Sequence, residues 1–247
     1  MDATPSFNNI LFIFALEKEA LPLLTLLSLP PDPSQAKNLV ISAYSGTYKS
    51  LKISLIFPKI DPKFNCDSIG PENSAVATYI GIKSYKPDLI ISAGNAGAFQ
   101  KAENKDIEFK LGDICYSKEP IGFIDREIIL DEFKDYMAGK YEILQLKETF
   151  RELGFKEAVI GTTSSFHDFC SGFAMKKGID LEEMEAAAIQ KIAFLMKIPF
   201  FAIKIVVSLN YGKDLPEDIT KRFFEHVGEK SEILAGEIKK MIDKMAV

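Results

Sequence analysis

Short, almost wholly apolar runs at residues 10–15, 89–92 and 200–207 alternate with segments whose apolar residues recur at helical spacing, and this alternation most restricts the fold. Such runs read as strands buried in a sheet. Residues 39–44 and 51–57 read as two further strands, a hairpin turning around Ser45-Gly46-Thr47, and residues 113–117 and 158–162 as two more. Helices are expected at 17–27, where Ala20, Leu23, Leu24 and Leu27 share a face, at 73–83 before Lys86-Pro87, and at 144–153, 184–197 and 216–245. The order is that of an α/β domain with both hairpin and crossover connections. Residues 100–141 carry the weakest pattern and read as an elaborated loop region. With 47% hydrophobic residues in 247, the chain can bury one large core, and residues 1–247 are read as a single domain.

Charge and cysteine usage remove several classes of function. A net charge of -5 with no long basic run argues against a nucleic-acid surface. The N-terminal apolar run is broken by Glu17 and Glu19, and no stretch approaches the length of a membrane span, so neither secretion nor membrane insertion is expected. Cys66, Cys115 and Cys170 are odd in number and widely spaced, which fits reduced thiols and a cytoplasmic location. His167 and His226 are the only histidines and stand apart from the cysteines, so no metal site is expected. Ser165, His167 and Asp168 are neighbours in sequence, which seldom supply triad geometry, and no nucleophile-elbow motif is present.

Polar residues at strand ends carry the remaining weight, because ligands in such sheets sit there. Residues 181–189 read Leu-Glu-Glu-Met-Glu-Ala-Ala-Ala-Ile and crowd three carboxylates against an apolar helix that begins near Glu185. Acids in a first turn complement the helix dipole, worth a few tenths to about 1 kcal/mol. That does not explain Met184 held between Glu183 and Glu185, which asks for something to pack on it. Glu19 lies close to the helix start after the first strand. Residues 94–97 form a Gly-rich loop whose small side chains let main-chain N–H groups approach a ligand. Phe166 follows Thr162-Thr163-Ser164-Ser165 and offers a stacking platform. Singly, each has an ordinary reading: a solvated first turn, a common turn, a core aromatic.

Their conjunction is more telling. Ala15-Leu16-Glu17-Lys18-Glu19, the run from Lys86-Pro87-Asp88 to Gly94-Asn95-Ala96-Gly97, Leu111-Gly112-Asp113-Ile114 and Glu183-Met184-Glu185-Ala186 occur in the order seen in one family. The chain resembles the purine nucleoside phosphorylase and nucleosidase superfamily over nearly its whole length, and is most similar to 5′-methylthioadenosine/S-adenosylhomocysteine nucleosidases. The resemblance implies a three-layer αβα sandwich with a central mixed, partly barrel-like sheet, a small-molecule nucleoside substrate, no cofactor, and a homodimer in which the neighbour closes the 5′ pocket. It implies that Glu183, Met184 and Glu185 line the substrate, Glu185 accepting hydrogen bonds from the ribose hydroxyls and Met184 packing beneath the sugar. Glu19 becomes the general base for water. Asn95, Ala96 and Gly97 border ribose and base, Phe166 stacks on the base, the His167 main chain reads its edge, and Ile69 lies near the 5′ substituent.

The chemistry wants such acids, since breaking an N-glycosidic bond develops positive charge on the ribose, which a carboxylate favours over the neutral ground state. The departing base needs a proton or a hydrogen bond. Where the nucleosidases carry a Ser/Thr-Asp pair this chain has Val207-Ser208, so Ser208 is the residue at the leaving group, and its hydroxyl donates a hydrogen bond but is a weak acid. Asp214, six residues on, is a less favoured substitute. Asn210-Tyr211 is similar to the Ser-Asn-Tyr of some futalosine hydrolases, and Ser164-Ser165 replaces a frequent Gly-Asp. Arg126, Arg151 and Arg222 are the only arginines, none near Glu19 or the Gly-rich loop, so water is a better nucleophile than phosphate. The expected activity is hydrolysis of the N-glycosidic bond of a purine nucleoside; the alternatives are a futalosine hydrolase-like enzyme or a catalytically weak nucleoside binder.

Overall fold

The apolar runs lie side by side at the centre of a ten-stranded mixed sheet. The computed structural model describes residues 6–99, 109–126, 130–165, 177–210 and 216–246, apart from the side chains of 210, 216–220, 222 and 223. Strand β1 (Asn9–Ile13) pairs in parallel with β3 (Leu51–Pro58) and with β6 (Leu89–Phe99), and β2 (Ile41–Tyr48) adds antiparallel to β3. The opposite edge of β6 pairs in parallel with β12 (Phe200–Asn210). Strand β7 (Ile114–Ser117) runs antiparallel to β12 and parallel to β9 (Lys156–Ala158). Strand β10 (Ile160–Thr162) lies between β11 (Leu181–Glu183) and β8 (Gly122–Phe123), and β11 returns antiparallel to the end of β6. Strands β4 (Ile60–Asp61) and β5 (Cys66–Asp67) form a separate small hairpin.

Helices cover both faces. Ala20, Leu23, Leu24 and Leu27 of α1 (Glu17–Leu27) and Leu234, Ile238, Met241 and Ile242 of α6 (Pro216–Met245) pack with Ile10, Phe12, Phe201 and Ile203. On the other face Ala77 and Ile82 of α2 (Pro71–Tyr85) and Ala186, Ile189 and Ala193 of α5 (Ala186–Leu195) pack with Leu11, Ile13, Phe200 and Ala202. The alternation of partners along β1 and β12 is the period-two pattern of strands buried on both faces. Short helices α3 (Lys134–Ala138) and α4 (Lys147–Glu152) lie in the connection between β8 and β9.

One detail of this topology positions the site. Strand β6 pairs with β1 only as far as Ser92, and the same edge meets β11 from Gly97 onward. Between them that edge has no strand neighbour among the described residues, so its main-chain groups must find other partners.

Several sequence expectations change. Residues 94–97 continue β6 rather than forming a loop, because small side chains let the strand pass closely between β12 and α1. Gly46 lies inside β2, where a Cβ would come 3.1 Å from Leu29, and the hairpin turns at Lys49-Ser50 with Lys49 at φ 52°. Residues 158–162 split at Val159, whose N–H donates to Asp180 Oδ2 at 2.8 Å, so β9 and β10 serve different neighbours. The expected helix at 144–153 shortens to α4, while α1 and α6 have the expected bounds. No helix among the described residues is long and apolar enough to cross a membrane. Cys66 is exposed, Cys115 is buried, and both are free thiols; Cys170 lies outside the described residues.

Candidate active site at the split in the sheet

Three carboxylates and one lysine meet where β6 parts from β1, all of them buried. Glu19, in the first turn of α1, sits against the unpaired edge of β6. Its Oε1 accepts from the Asn95 main-chain N–H at 3.0 Å and from Asn95 Nδ2 at 2.7 Å. Its Oε2 accepts from the N–H groups of Ala15 and Leu16, both at 3.3 Å. Gly94 makes the approach possible: its φ is +150° and a Cβ there would stand 2.9 Å from Glu19 Oε2. Burial raises the Glu19 pKa above the ordinary carboxylate value, opposed by the Lys204 charge and by the Asn95 hydrogen bonds.

Glu183 and Glu185 leave the end of β11 with different duties. Glu183 Oε1 accepts from the Thr162 hydroxyl and from Ala186 N–H at 3.0 Å. Its Oε2 accepts from the N–H groups of Glu185 and Ala186 at 3.1 and 2.8 Å, and lies 2.9 Å from Lys204 Nζ. Glu183 thus satisfies the first donors of α5 and neutralises a buried ammonium. Expected beside the ligand, it spends both oxygens on the protein. Among the described residues Glu185 accepts from Gly70 N–H at 3.0 Å on Oε1 and from Met184 N–H at 3.3 Å on Oε2. A carboxylate has about four acceptor positions, so Glu185 keeps capacity for a ligand. Burial and then the Glu183 charge push its pKa up to about 8.

Lys204 is the member that sequence reasoning missed. Its side chain is only 3% exposed in the middle of apolar β12. Burial opposes its charge, but Glu183, Glu185 and Glu19 outweigh this and raise its pKa. The signal was available: a lone cation inside a strand of this kind must be paired or it would be too costly to bury.

The other candidate residues fall around this cluster. Met184 is half-buried, Ile69 is 40% exposed next to Gly70, and Ala96 and Gly97 follow Asn95 along β6. Ser208 is buried opposite Gly97, beyond a bulge at which Val207 is the extra residue: Val206 pairs with Ala96 and Ser208 with Gly97. Past β10, Ser164 N–H and the Thr163 hydroxyl donate to Asp125 Oδ2 at 2.6 and 3.4 Å. Phe166, His167, Tyr211 and Asp214 lie outside the described residues. Arg126 stacks over Phe123 at 3.6 Å and stands 3.9 Å from Glu72. Among the described residues no group of three or more His, Cys, Asp or Glu side chains has a metal-binding arrangement.

Such a site can take a proton from water at Glu19, accept hydroxyl donors at Glu185, and favour positive over negative charge in a ligand. Fold and site together define a helix-flanked mixed-sheet protein of the nucleoside phosphorylase type. Residues 9–245 match the phosphorylase superfamily, and the chain belongs to that family. It is 30% identical to the 5′-methylthioadenosine nucleosidase of Arabidopsis thaliana over 241 residues, 96% of this chain and 86% of the relative. It is 29% identical to a 5′-methylthioadenosine/S-adenosylhomocysteine nucleosidase of the same plant, covering 96% of this chain and 91% of that one. The solved apo structure of Arabidopsis thaliana 5′-methylthioadenosine nucleosidase superposes with a TM-score of 0.87 at 28% identity, covering 98% of this chain and 97% of the other.

Proposed function

We propose that the protein hydrolyses the N-glycosidic bond of a purine nucleoside of the 5′-methylthioadenosine or S-adenosylhomocysteine kind. The observation that carries this reading is the cradle around Glu19, a buried carboxylate held by four N–H donors from Ala15, Leu16 and Asn95 with a raised pKa. A site that merely binds a nucleoside has no use for a base so placed. Family membership and the nucleosidase relatives support the same reading.

In this reading Glu185 accepts from the ribose hydroxyls and Met184 packs beneath the sugar, while Ile69 borders the 5′ substituent. As the C1′–N bond lengthens, its electron pair leaves with the base and positive charge grows on the ribose beside Glu185 and Glu19. Water gives one proton to Glu19 and its oxygen to C1′. The departing base takes a hydrogen bond from Ser208 and one proton from solvent, which balances the proton Glu19 later returns. Glu183 and Lys204 act from behind, fixing the start of α5 on which Glu185 is mounted. A phosphate dianion would meet three acids here, so water is the nucleophile.

A homodimer completes this reading. Val76 and Tyr79 of α2 and Leu195 of α5 leave apolar side chains exposed on helices that pack together, with Ile69 nearby. A second copy seated there would cover the 5′ end of the pocket. The free thiols of Cys66 and Cys115 fit a cytoplasmic setting.

The test is chromatography of purified protein incubated with methylthioadenosine, S-adenosylhomocysteine, adenosine, inosine and futalosine, with and without phosphate. Free base released without phosphate is the expected result. Turnover only with phosphate overturns hydrolysis, and tight binding without release replaces the enzyme with a nucleoside sensor.

A further inference from the structure

The hydrogen bonds on the two oxygens of Glu19 are unequal. Oε1 holds the shorter pair, 3.0 and 2.7 Å, and both come from one residue, Asn95. Oε2 holds two long ones at 3.3 Å. An oxygen with two short donors is the less basic of the pair, so the proton belongs on Oε2. Asn95 is able to supply both donors because it sits on the stretch of β6 without a strand neighbour, between Ser92 and Gly97.

The amide of Asn95 carries a second observation. Nδ2 also donates to Ser231 Oγ of α6 at 3.4 Å, which fixes the amide plane between α1 and α6. Its other end, Oδ1, is buried and has no hydrogen-bond partner among the described residues. A buried acceptor left in this state is costly, and such atoms mark places where a ligand or ordered water belongs. Oδ1 is bonded to the same carbon as Nδ2, which touches Glu19 Oε1 at 2.7 Å, so both ends of the amide stand beside the same carboxylate with room for a water to bridge from Oδ1.

We propose that Asn95 is the positioning residue of the base: it pins Oε1 of Glu19 so that Oε2 receives the proton, and its Oδ1 accepts the second hydrogen of the attacking water. This rests on the hydrolase reading of the site. The water then has both hydrogens engaged, one moving to Oε2 and one held by Oδ1, and its lone pair is left facing C1′. The O–H bond to Glu19 breaks with its electrons kept on oxygen, the O–C1′ bond forms, and Asn95 gains and loses no proton. The role differs from that of a residue lining the ribose, which would change substrate affinity without touching Glu19. The direction of the effect is fixed by the structure, since both Asn95 hydrogen bonds favour the ionised form of Glu19.

The experiment titrates the Glu19 carboxyl in the ligand-free full chain by carbon-13 NMR of glutamate-labelled protein, the resonance being assigned by its loss in Glu19→Gln. Asn95→Asp is nearly isosteric, keeps an acceptor at Oδ1 and removes the donor; Asn95→Ala removes both and is accepted only if its thermal transition remains cooperative. In either variant the Glu19 titration should move to higher pH by about one unit or more. In parallel kcat should fall roughly 10- to 100-fold with KM within about threefold, and the acid limb of the kcat profile should move with the titration. An unmoved Glu19 titration, or a raised KM with kcat and pH profile unchanged, overturns the proposal and leaves Asn95 as a pocket-lining residue. If the wild-type protein releases no base from any nucleoside the hydrolase reading fails, while the titration in the free protein still decides whether Asn95 controls Glu19.

Discussion

The acid cluster and the far end of β12 are built from different materials. Around Glu19, Glu183 and Glu185 three buried acids share the single ammonium of Lys204, and each acid is tied to main-chain N–H groups. At the end of β12 and β10, by contrast, the described residues offer the Ser208 hydroxyl and a polar turn at Thr163 and Ser164 whose one acid, Asp125, is engaged by that turn. Charge is concentrated at the acid cluster. Hydroxyl and main-chain groups predominate among the described residues at the other end. If the protein works as proposed, it does most of its catalysis on the sugar and water and least on the leaving group.

The comparison breaks first at Glu19. Glu19→Gln should lower turnover by roughly 10²–10⁴ while nucleoside binding persists, measured by stopped assays beside calorimetric titration. Lys204→Met comes next, because removing one member of a buried ion pair strands the other charge. Denaturant unfolding should show a loss of about 3–5 kcal/mol, partly regained when Glu183 is replaced by Met in the same chain. Ser208→Ala should cost about tenfold or less in kcat, the worth of one neutral hydrogen bond. Ser208→Asp should raise turnover if a missing acid limits the rate, and an unchanged rate would show that base departure is not limiting.

Acidity gives a finer test of the sugar end. Glu185 in the folded chain titrates at about 8, well above an unfolded glutamate at about 4.3. The folded state therefore holds a proton that the unfolded state has lost, so the stability linked to Glu185 is complete below about pH 4 and drains away as pH rises toward 8. Thermal midpoints from pH 5 to 8.5 should fall more steeply in the wild type than in Glu185→Gln; parallel curves would place the proton elsewhere. The smallest effect belongs to Lys244→Ala, which removes only a surface contact to Glu152 and should leave the denaturation midpoint unmoved.

Sequence made the layers and the long helices readable because each leaves a periodic signature, while Glu19 and Glu185 stood out only through the resemblance of their motifs to a family. Helix α1 begins where Glu19 follows a buried strand, and Glu185 stands at the first turn of α5. Short elements left no such mark: β8 and β11 have two and three residues, and their existence depends on neighbours far along the chain. Small residues in β6 looked like a loop because Gly and Ala carry the same local signal in a turn and in a strand that must admit another backbone. Glu183 and Glu185 are chemically identical in sequence, and what distinguishes them is tertiary: Lys204, the Thr162 hydroxyl and the N–H groups at the start of α5 gather on Glu183.

The bulge at Val207 gives the end of β12 an angle as well as a length. Val207 and Ser208 together stand against Gly97, so deleting Val207 would leave Ser208 and everything beyond it in the same pairing and remove only the kink that the extra residue adds. Exchanging Val207 with Ser208 would instead put the hydroxyl at the unpaired position of the bulge. The extra residue therefore sets the angle at which the last polar group of this strand is aimed, while its pairing partner stays fixed.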